Sequence, residues 1–352
     1  MFSEFDPGWS GWFALSFAVL VCLELARALW NFRSIPRLKP VAGSKPPDLM
    51  TVIPARDEER VIARAVASLP HDSVIVVDDH SADGTAEAAR KAGAGVIQAP
   101  ALPRGAVGKS HACMAGAKTL ESRWILFADA DTWFEKGFLD AAVAAAEARE
   151  LAFLSIHLET RPRSWRDALV APLVQALYYA SIRPRADPAG AFDGQCVLVR
   201  RDAYEFAGGH GAILNSIADG LKLAGLAARH RLKFGAARSG RLGHAEFRDA
   251  ARSMRRRGYR LLLLEGASAA MSIVFVSALA WWPLSAVWAG IDGGWSMTAP
   301  LIVAPMLFAL PWYRSLALLL MPLAVCDLAA STWSGLVSAL GGGGIEWKGR
   351  RV

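Results

Sequence analysis

Charge is missing from long stretches of this 352-residue chain. Gly266 to Ile291 contains no charged residue, nor does Gly293 to Tyr313, and Ser315 to Gly344 carries Asp327 alone. Pro7 to Leu23 is uncharged as well. Runs of this length can cross a hydrocarbon core about 30 Å thick, which needs about 20 helical residues. Trp9, Trp12, Trp30, Trp281, Trp282 and Trp295 stand near their borders, where membrane spans place tryptophan. An ordinary soluble enzyme is excluded by these runs and by the 53% hydrophobic content.

Cysteine is scarce. Cys22, Cys113, Cys196 and Cys326 form no C-x-x-C pair, which excludes a disulfide framework and a zinc site of that pattern. Lys and Arg are absent before Arg27, so the first apolar segment has no basic leader, and no small-x-small cleavage site follows it. It reads as a retained anchor. Arg27, Arg33, Arg37 and Lys39 follow it, which puts the middle of the chain in the cytoplasm by the positive-inside bias, at a bacterial-type inner membrane. The net charge of +7 gathers at Arg248 to Arg260 and at Lys348, Arg350 and Arg351, beside apolar runs. Anionic headgroups are the expected partner of that charge, and nucleic acid is not.

What is present lies between the apolar ends. Residues 46–244 alternate short apolar strands with helical patterns. Strands are expected at Leu49 to Ile53, Ser73 to Val77, Gly95 to Gln98 and Trp124 to Ala128. Helices are expected at Glu59 to Leu69, Gly84 to Ala92 and Lys109 to Thr119. This order predicts a mainly parallel sheet covered by helices, with ligands beyond the carboxyl ends of the strands. Polar clusters fall at those ends: Pro54-Ala55-Arg56-Asp57-Glu58, then Asp78-Asp79-His80-Ser81, then Asp129-Ala130-Asp131.

Each cluster has a chemical task open to it. Two carboxylates at Asp129 and Asp131 can share Mg²⁺ or Mn²⁺, cations that also hold substrate phosphates. Asp79 can accept a hydrogen bond from the N3–H of uracil. Lys109 opens a helix after a glycine-containing loop and can meet phosphate. Each also has a plain reading: a solvated turn, an Asx-turn, a solvated helix start. His111, His157, His210 and His244 lack metal-ligand spacing and read as surface or hydrogen-bonded core residues. Phe192-Asp193-Gly194-Gln195 reads as a strand-entry turn or as part of an acceptor wall.

The ordered set of Val52 to Glu59, Val76 to Thr85, Gly108-Lys109-Ser110 and Phe127 to Asp131 resembles the family 2 glycosyltransferases of GT-A fold. Within that family it resembles membrane-anchored carotenoid-acid (diaponeurosporenoate) glycosyltransferases and hopanoid-associated and ceramide glycosyltransferase-like proteins. Gly208-Gly209-His210, Ile217 to Gly220 and Glu346-Trp347-Lys348-Gly349-Arg350 add to it. The resemblance implies a Rossmann-like α/β domain flanked by transmembrane helices. It implies inverting transfer from a nucleotide-diphosphate sugar, expected to be a UDP-sugar, with a divalent cation. Asp219 would be the general base. Asp131 and Asp129 would hold the metal. Pro54, Ala55, Arg56, Glu58, Asp79, Lys109 and Asp129 would bind the nucleotide sugar. Gly194, Gln195, Arg255, Arg256 and Trp347 are candidates for the acceptor side.

Two family features are missing. The neighbour of Asp219 is Ala218 rather than a second acid. Arg252-Ser253-Met254-Arg255 has R-x-x-R without the tryptophan of processive members, which argues against polymer synthesis. The apolar ends point to a membrane lipid acceptor: a terpenoid, a sphingolipid or a glycerolipid. The alternatives are a polyprenyl-phosphate sugar transferase, which Arg252 to Arg257 would suit, and a non-catalytic assembly factor that binds nucleotide sugar or lipid. The expected order is a tail (1–8), an anchor (9–30), the GT-A domain (46–244), a basic interfacial helix (245–265), a span (266–291), spanning or re-entrant helices (296–340) and a basic tail (341–352). Within 296–340, a span is expected near 297–320, followed by a re-entrant or interfacial helix containing Asp327; a crossing by 315–340 is the alternative, against the charge bias of the tail.

Overall fold

The computed structural model describes residues 8–41, 47–216, 218–248, 281–291, 295–313, 316–341, 346–347 and 350–351. The chain divides into two units. One comprises Ser34–Arg161 and Arg183–Glu246. The other gathers Met1–Arg33, Pro162–Ile182 and Phe247–Val352.

The first unit is an α/β layer structure. Its strands are β1 (Leu49–Ala55), β2 (Val74–Asp78), β3 (Gly95–Gln98), β4 (Trp124–Ala128), β5 (Thr132–Phe134), β6 (Phe153–His157), β7 (Glu159–Pro162), β8 (Cys196–Arg200), β9 (Phe234–Arg238) and β10 (Gly243–Phe247). Seven of them form one sheet in the order β3-β2-β1-β4-β8-β6-β9, and β5-β10-β7 form a second. The parallel sheet expected from the strand–helix alternation is thus interrupted by one strand. β8 runs antiparallel to both β4 and β6.

Period two explains the packing. β4 is buried along its whole length. Leu126 and Ala128 join the core on one face, and Ile125 and Phe127 join the core on the other. Each large side chain buried this way contributes about 1.5–3 kcal/mol. The helices α2 (Glu59–Ala67), α3 (Thr85–Lys91), α4 (Gly108–Ala117), α5 (Phe138–Ala148), α7 (Arg201–Phe206) and α8 (Asp219–Arg229) complete the layers; α6 is considered below. α4 lies so close to the sheet that a Cβ at Gly116 would stand 2.6 Å from Val52 Cγ1.

β1 is longer than expected. Pro54 and Ala55 belong to the strand, opposite Val77 and Asp78 of β2. Pairing with β4 stops at Val52, so Pro54 sits where the strand has already lost that neighbour, a position proline tolerates. The unit also begins before residue 46. Arg238 N–H donates to Pro36 O at 2.7 Å and Leu38 N–H to Arg238 O at 2.8 Å, which lays residues 36–38 along the edge of β9.

The second unit holds α1 (Gly8–Ser34) and α6 (Trp165–Ser181) together with the C-terminal helices. α6, expected as part of the 46–244 domain, clusters instead with the apolar ends. Ser164 caps it, in a box with Asp167. Asn31 Nδ2 donates to Tyr179 O and Ile182 O, both at 2.8 Å, satisfying carbonyls at its other end. Tyr313 Oη donates to Leu169 O at 2.8 Å.

Among the described residues, Trp9–Ser34 and Leu316–Ser338 are long and apolar enough to cross a membrane. The continuous helix expected near 297–320 is instead broken. One helix covers Trp295–Ala309, and the next covers Met321–Leu340 after a 3₁₀ turn at Leu316–Leu320. Pro311 is the physical reason, because it disfavours helical geometry at Leu310. The span expected over 266–291 is described only from residue 281. Of the basic helix expected over 245–265, residues 245–247 belong to β10 instead, because β10 pairs with β5, and residues 249–265 lie outside the described residues.

Candidate functional site

β1 is the switch point of the sheet, with β2 on one side and β4 on the other. Ligands of open α/β sheets bind outside the strand ends at such a point. Two loops meet at the β1 and β2 ends. Asp57 takes a left-handed φ of 54° and His80 one of 56°. Asp57 N–H donates to Ser81 Oγ at 3.0 Å, and Ala82 N–H returns to Asp57 Oδ1 at 2.8 Å. Glu58 N–H donates to Thr85 Oγ1 at 2.8 Å. Arg56 reaches across, its Nη1 donating to Asp79 O at 2.9 Å and lying 3.9 Å from Asp79 Oδ2. Asp78 Oδ1 accepts from Ser81 N–H at 3.3 Å, the geometry of the Asx-turn that is the plain reading of Asp78-Asp79. Asp79 and Arg56 are held beside each other at the rim.

The second cluster is built by four elements. β4 ends in Asp129, α4 opens with Gly108-Lys109, α8 opens with Asp219, and the loop before β8 carries Gly194. Lys109 Nζ lies 2.8 Å from Asp129 Oδ1 and 2.9 Å from Asp219 Oδ2, and donates to Gly194 O at 2.9 Å. An ammonium carries three N–H donors, so all three have a protein acceptor. Asp219 Oδ1 accepts from Gly220 N–H at 2.9 Å. Asp219 is the first residue of α8, and Ala218 provides no side-chain cap.

Gly194 has no room for a side chain. A Cβ there would stand 2.1 Å from Asp219 Oδ1, and a Cβ on Gly220 would stand 2.4 Å from Gly194 N. The loop is fixed from both sides. Ser155 Oγ accepts from Asp193 N–H and donates to Asp193 O, both at 2.9 Å. Asp129 N–H donates to Gln195 O at 3.0 Å. Gln195 thus enters the site through its backbone. Ser155 gave no signal in the sequence, because it lies inside an apolar strand. Replacing it with Ala leaves two buried backbone groups unpaired, and a loss of about 1–3 kcal/mol is expected, read as a lower thermal midpoint.

Electrostatics follow from this packing. Burial opposes the Lys109 charge, but Asp129 and Asp219 outweigh it and hold its pKa well above the ordinary lysine value. Burial raises the Asp219 carboxyl, yet Lys109, by charge and hydrogen bond, brings it below the usual aspartate range. Burial pushes Asp129 up, Lys109 pulls it down, and Asp219 and Asp193 push it up again, leaving it raised. The resting site therefore holds one cation between two carboxylates.

His210 lies behind it. Gly209, at φ 49°, lets the chain pass over Tyr204, where a Cβ would stand 2.3 Å from the ring. Tyr204 Oη accepts from His210 N–H at 3.0 Å and is hydrogen-bonded to His210 Nδ1 at 2.9 Å. Burial pushes the His210 pKa down to about 4, which keeps the ring neutral. His111, His157 and His244 are buried too, in agreement with a core rather than a surface placement.

The structure brings Lys109, Asp129, Gly194 and Asp219 into contact. Asp79 stands two strands from Asp129 along the same edge, about 10 Å at the usual strand spacing. Asp131 follows in the turn from β4, and its carbonyl accepts from Glu246 N–H at 2.9 Å. Among the described residues no group of three or more His, Cys, Asp or Glu side chains could hold a metal by itself. The donor set at Asp129 and Asp131 is carboxylate, which fits a hard divalent cation whose other ligands are phosphate and water. Arg255, Arg256 and Ile217 lie outside the described residues. Trp347 pairs with Arg350 in a short antiparallel ribbon.

Residues 51–206 match the model of Glycosyl transferase family 2. A 4,4'-diaponeurosporenoate glycosyltransferase of Staphylococcus haemolyticus is 27% identical over 194 residues, 51% of this chain and 52% of that protein. One from Staphylococcus aureus is 28% identical over 225 residues, 60% of each chain. The matches thus span little more than half the length of these relatives. The mannosyltransferase PcManGT from Pyrobaculum calidifontis, solved with GDP-Man and Mn²⁺, superposes with a TM-score of 0.54 at 18% identity. The superposition covers 94% of this chain and 99% of that one. It establishes a shared GT-A fold.

Proposed function

We propose that this chain, whose residues 51–206 form a family 2 glycosyl transferase domain, moves a sugar from a nucleoside-diphosphate donor to a lipid acceptor at a bacterial membrane. The observation that carries this reading is the meeting of Asp129 and Asp219 on Lys109, at 2.8 and 2.9 Å, beside the switch point of the sheet. A carboxylate at a strand end and another at a helix start are thereby held on one ammonium.

Asp219 takes the proton of the acceptor hydroxyl or carboxyl as that group attacks the anomeric carbon. Its lowered pKa keeps it ionised at neutral pH. Asp79 and Arg56 recognise the base, about 10 Å along the strand edge from Asp129, a span that suits a nucleoside. Lys109 meets the negative charge that gathers on the departing diphosphate. Asp129 and Asp131 would hold a Mg²⁺ or Mn²⁺ ion, which when bound neutralises that same charge. The relatives named for 4,4'-diaponeurosporenoate and the two apolar helices support a carboxylated or hydroxylated terpenoid as acceptor, and the basic residues Arg27, Arg33, Arg37 and Lys39 support the cytoplasmic face for the α/β unit.

Purified protein incubated with lipid extract and labelled UDP- and GDP-sugars tests this directly. Transfer to a lipid is expected, and EDTA is expected to abolish it, with recovery on added Mn²⁺. Nucleotide binding without transfer from any donor would identify an assembly factor instead. The pH profile carries its own expectation. A base with a lowered pKa stays ionised to lower pH, so the acid side of kcat/KM should fall below the ordinary aspartate value of about 3.9. Lys109→Met removes the charge that depresses Asp219, and the acid side should move to higher pH. An unmoved profile would show that Asp219 is not the titrating base.

A further inference from the structure

The three hydrogens of Lys109 are spent on Asp129, Asp219 and Gly194 O. A lysine in that state cannot also donate to a phosphate. If Lys109 serves the leaving diphosphate, as the proposed function requires, one internal contact must be exchanged for it.

The geometry selects which one. Gly194 O belongs to a loop clamped by Ser155 at both groups of Asp193 and tied to Asp129 N–H through Gln195 O. Asp129 stands at the strand end where the diphosphate is placed, so a lysine that turns to phosphate stays beside it. Asp219 stands on another element, at the start of α8. It keeps a partner without Lys109, because Gly220 N–H donates to its Oδ1 at 2.9 Å and the helix N-terminus favours its negative charge. Its carboxylate is also packed against Gly194, where a Cβ would stand 2.1 Å from Oδ1. The contact that breaks at least cost is Lys109–Asp219.

We propose that Lys109 masks Asp219 in the donor-free protein and releases it when a nucleoside diphosphate and a divalent cation occupy the adjacent site. Lys109 is then a positioning residue for the base as well as a partner of the phosphate. The base becomes available to the acceptor only with the donor in place, so the two substrates are coupled through a single side chain.

Zero-length carbodiimide cross-linking of the full chain in detergent, read by peptide mass spectrometry, tests the exchange. The reagent joins Lys109 to a carboxylate only where the two are in contact. Lys91 and Glu87, an exposed pair at 2.7 Å on α3 to which no role in the site is assigned, give an internal reference link. The donor-free protein should yield Lys109–Asp219. Saturating UDP with Mn²⁺, or GDP with Mn²⁺ if calorimetry shows that GDP is the nucleotide bound, should lower that link by about tenfold relative to Lys91–Glu87. A Lys109–Asp219 link unchanged by a nucleotide that demonstrably binds overturns the masking and leaves the donor reading standing. Absence of binding by either nucleotide overturns both.

Discussion

Asp219→Asn is expected to lower kcat by about 10²–10⁴-fold, the usual contribution of a positioned general base. Asparagine has the same shape. Its carbonyl oxygen can still accept from Gly220 N–H, and it still fits against Gly194. What it lacks is a site for the acceptor's proton. Nucleotide affinity should be retained or increased, because an uncharged amide competes less for Lys109 than a carboxylate does. Labelled-sugar transfer gives the first quantity and calorimetry with UDP and Mn²⁺ the second. A variant with full turnover would remove Asp219 from catalysis. A variant that also lost nucleotide binding would point to a damaged site rather than to a missing base.

Gly194→Ala carries the next largest effect. The new Cβ would stand 2.1 Å from Asp219 Oδ1 and 2.7 Å from its Cγ. The obstacle is the carboxylate itself, anchored to a helix start and an ammonium. Asp219 must shift by about 1 Å or more, and a displacement of that size costs about 10²-fold in rate. Overpacking adds about 1–3 kcal/mol of destabilisation. Gly225 supplies the contrast. It lies on the same helix, a Cβ there meets nothing within 4 Å, and Gly225→Ala should be neutral or stabilising by up to about 1 kcal/mol. Equal effects at the two positions would contradict the close fit of Gly194 on Asp219.

The sequence disclosed those parts of the site whose signal is local. Trp124 to Ala128 is an apolar run that ends in two carboxylates, and it is a buried strand with Asp129 at its exit. Lys109 follows a glycine-containing loop and opens α4. Period and turn chemistry suffice for such features. What stayed hidden depends on contacts between distant segments. Ser155 looks like one more residue of an apolar strand, and its partner lies 38 residues away. The hydrogen bonds of Gln195 that matter are backbone ones, which carry no residue signature. The reversed direction of β8 shows only in its pairing with β4 and β6, partners distant in sequence. The break after Ala309 was visible in principle, since Pro311 is a local signal, but the unbroken apolar composition on both sides concealed it.

Histidine shows the same division. His210 sits in a Gly208-Gly209-His210 turn that the sequence displays, whereas its neutral state comes from burial, with the Phe127 ring centroid 4.6 Å away, and from the positive charge of Lys109. Spacing along the chain could not have placed this ring where it feels the charge of Asp219.

The most direct measurement is anomalous diffraction from crystals grown with UDP-sugar and Mn²⁺. The account predicts manganese on the Asp129–Asp131 turn, the base beside Asp79 and Arg56, and the anomeric carbon facing Asp219. Manganese bound elsewhere, or a sugar pointing away from the start of α8, would contradict it.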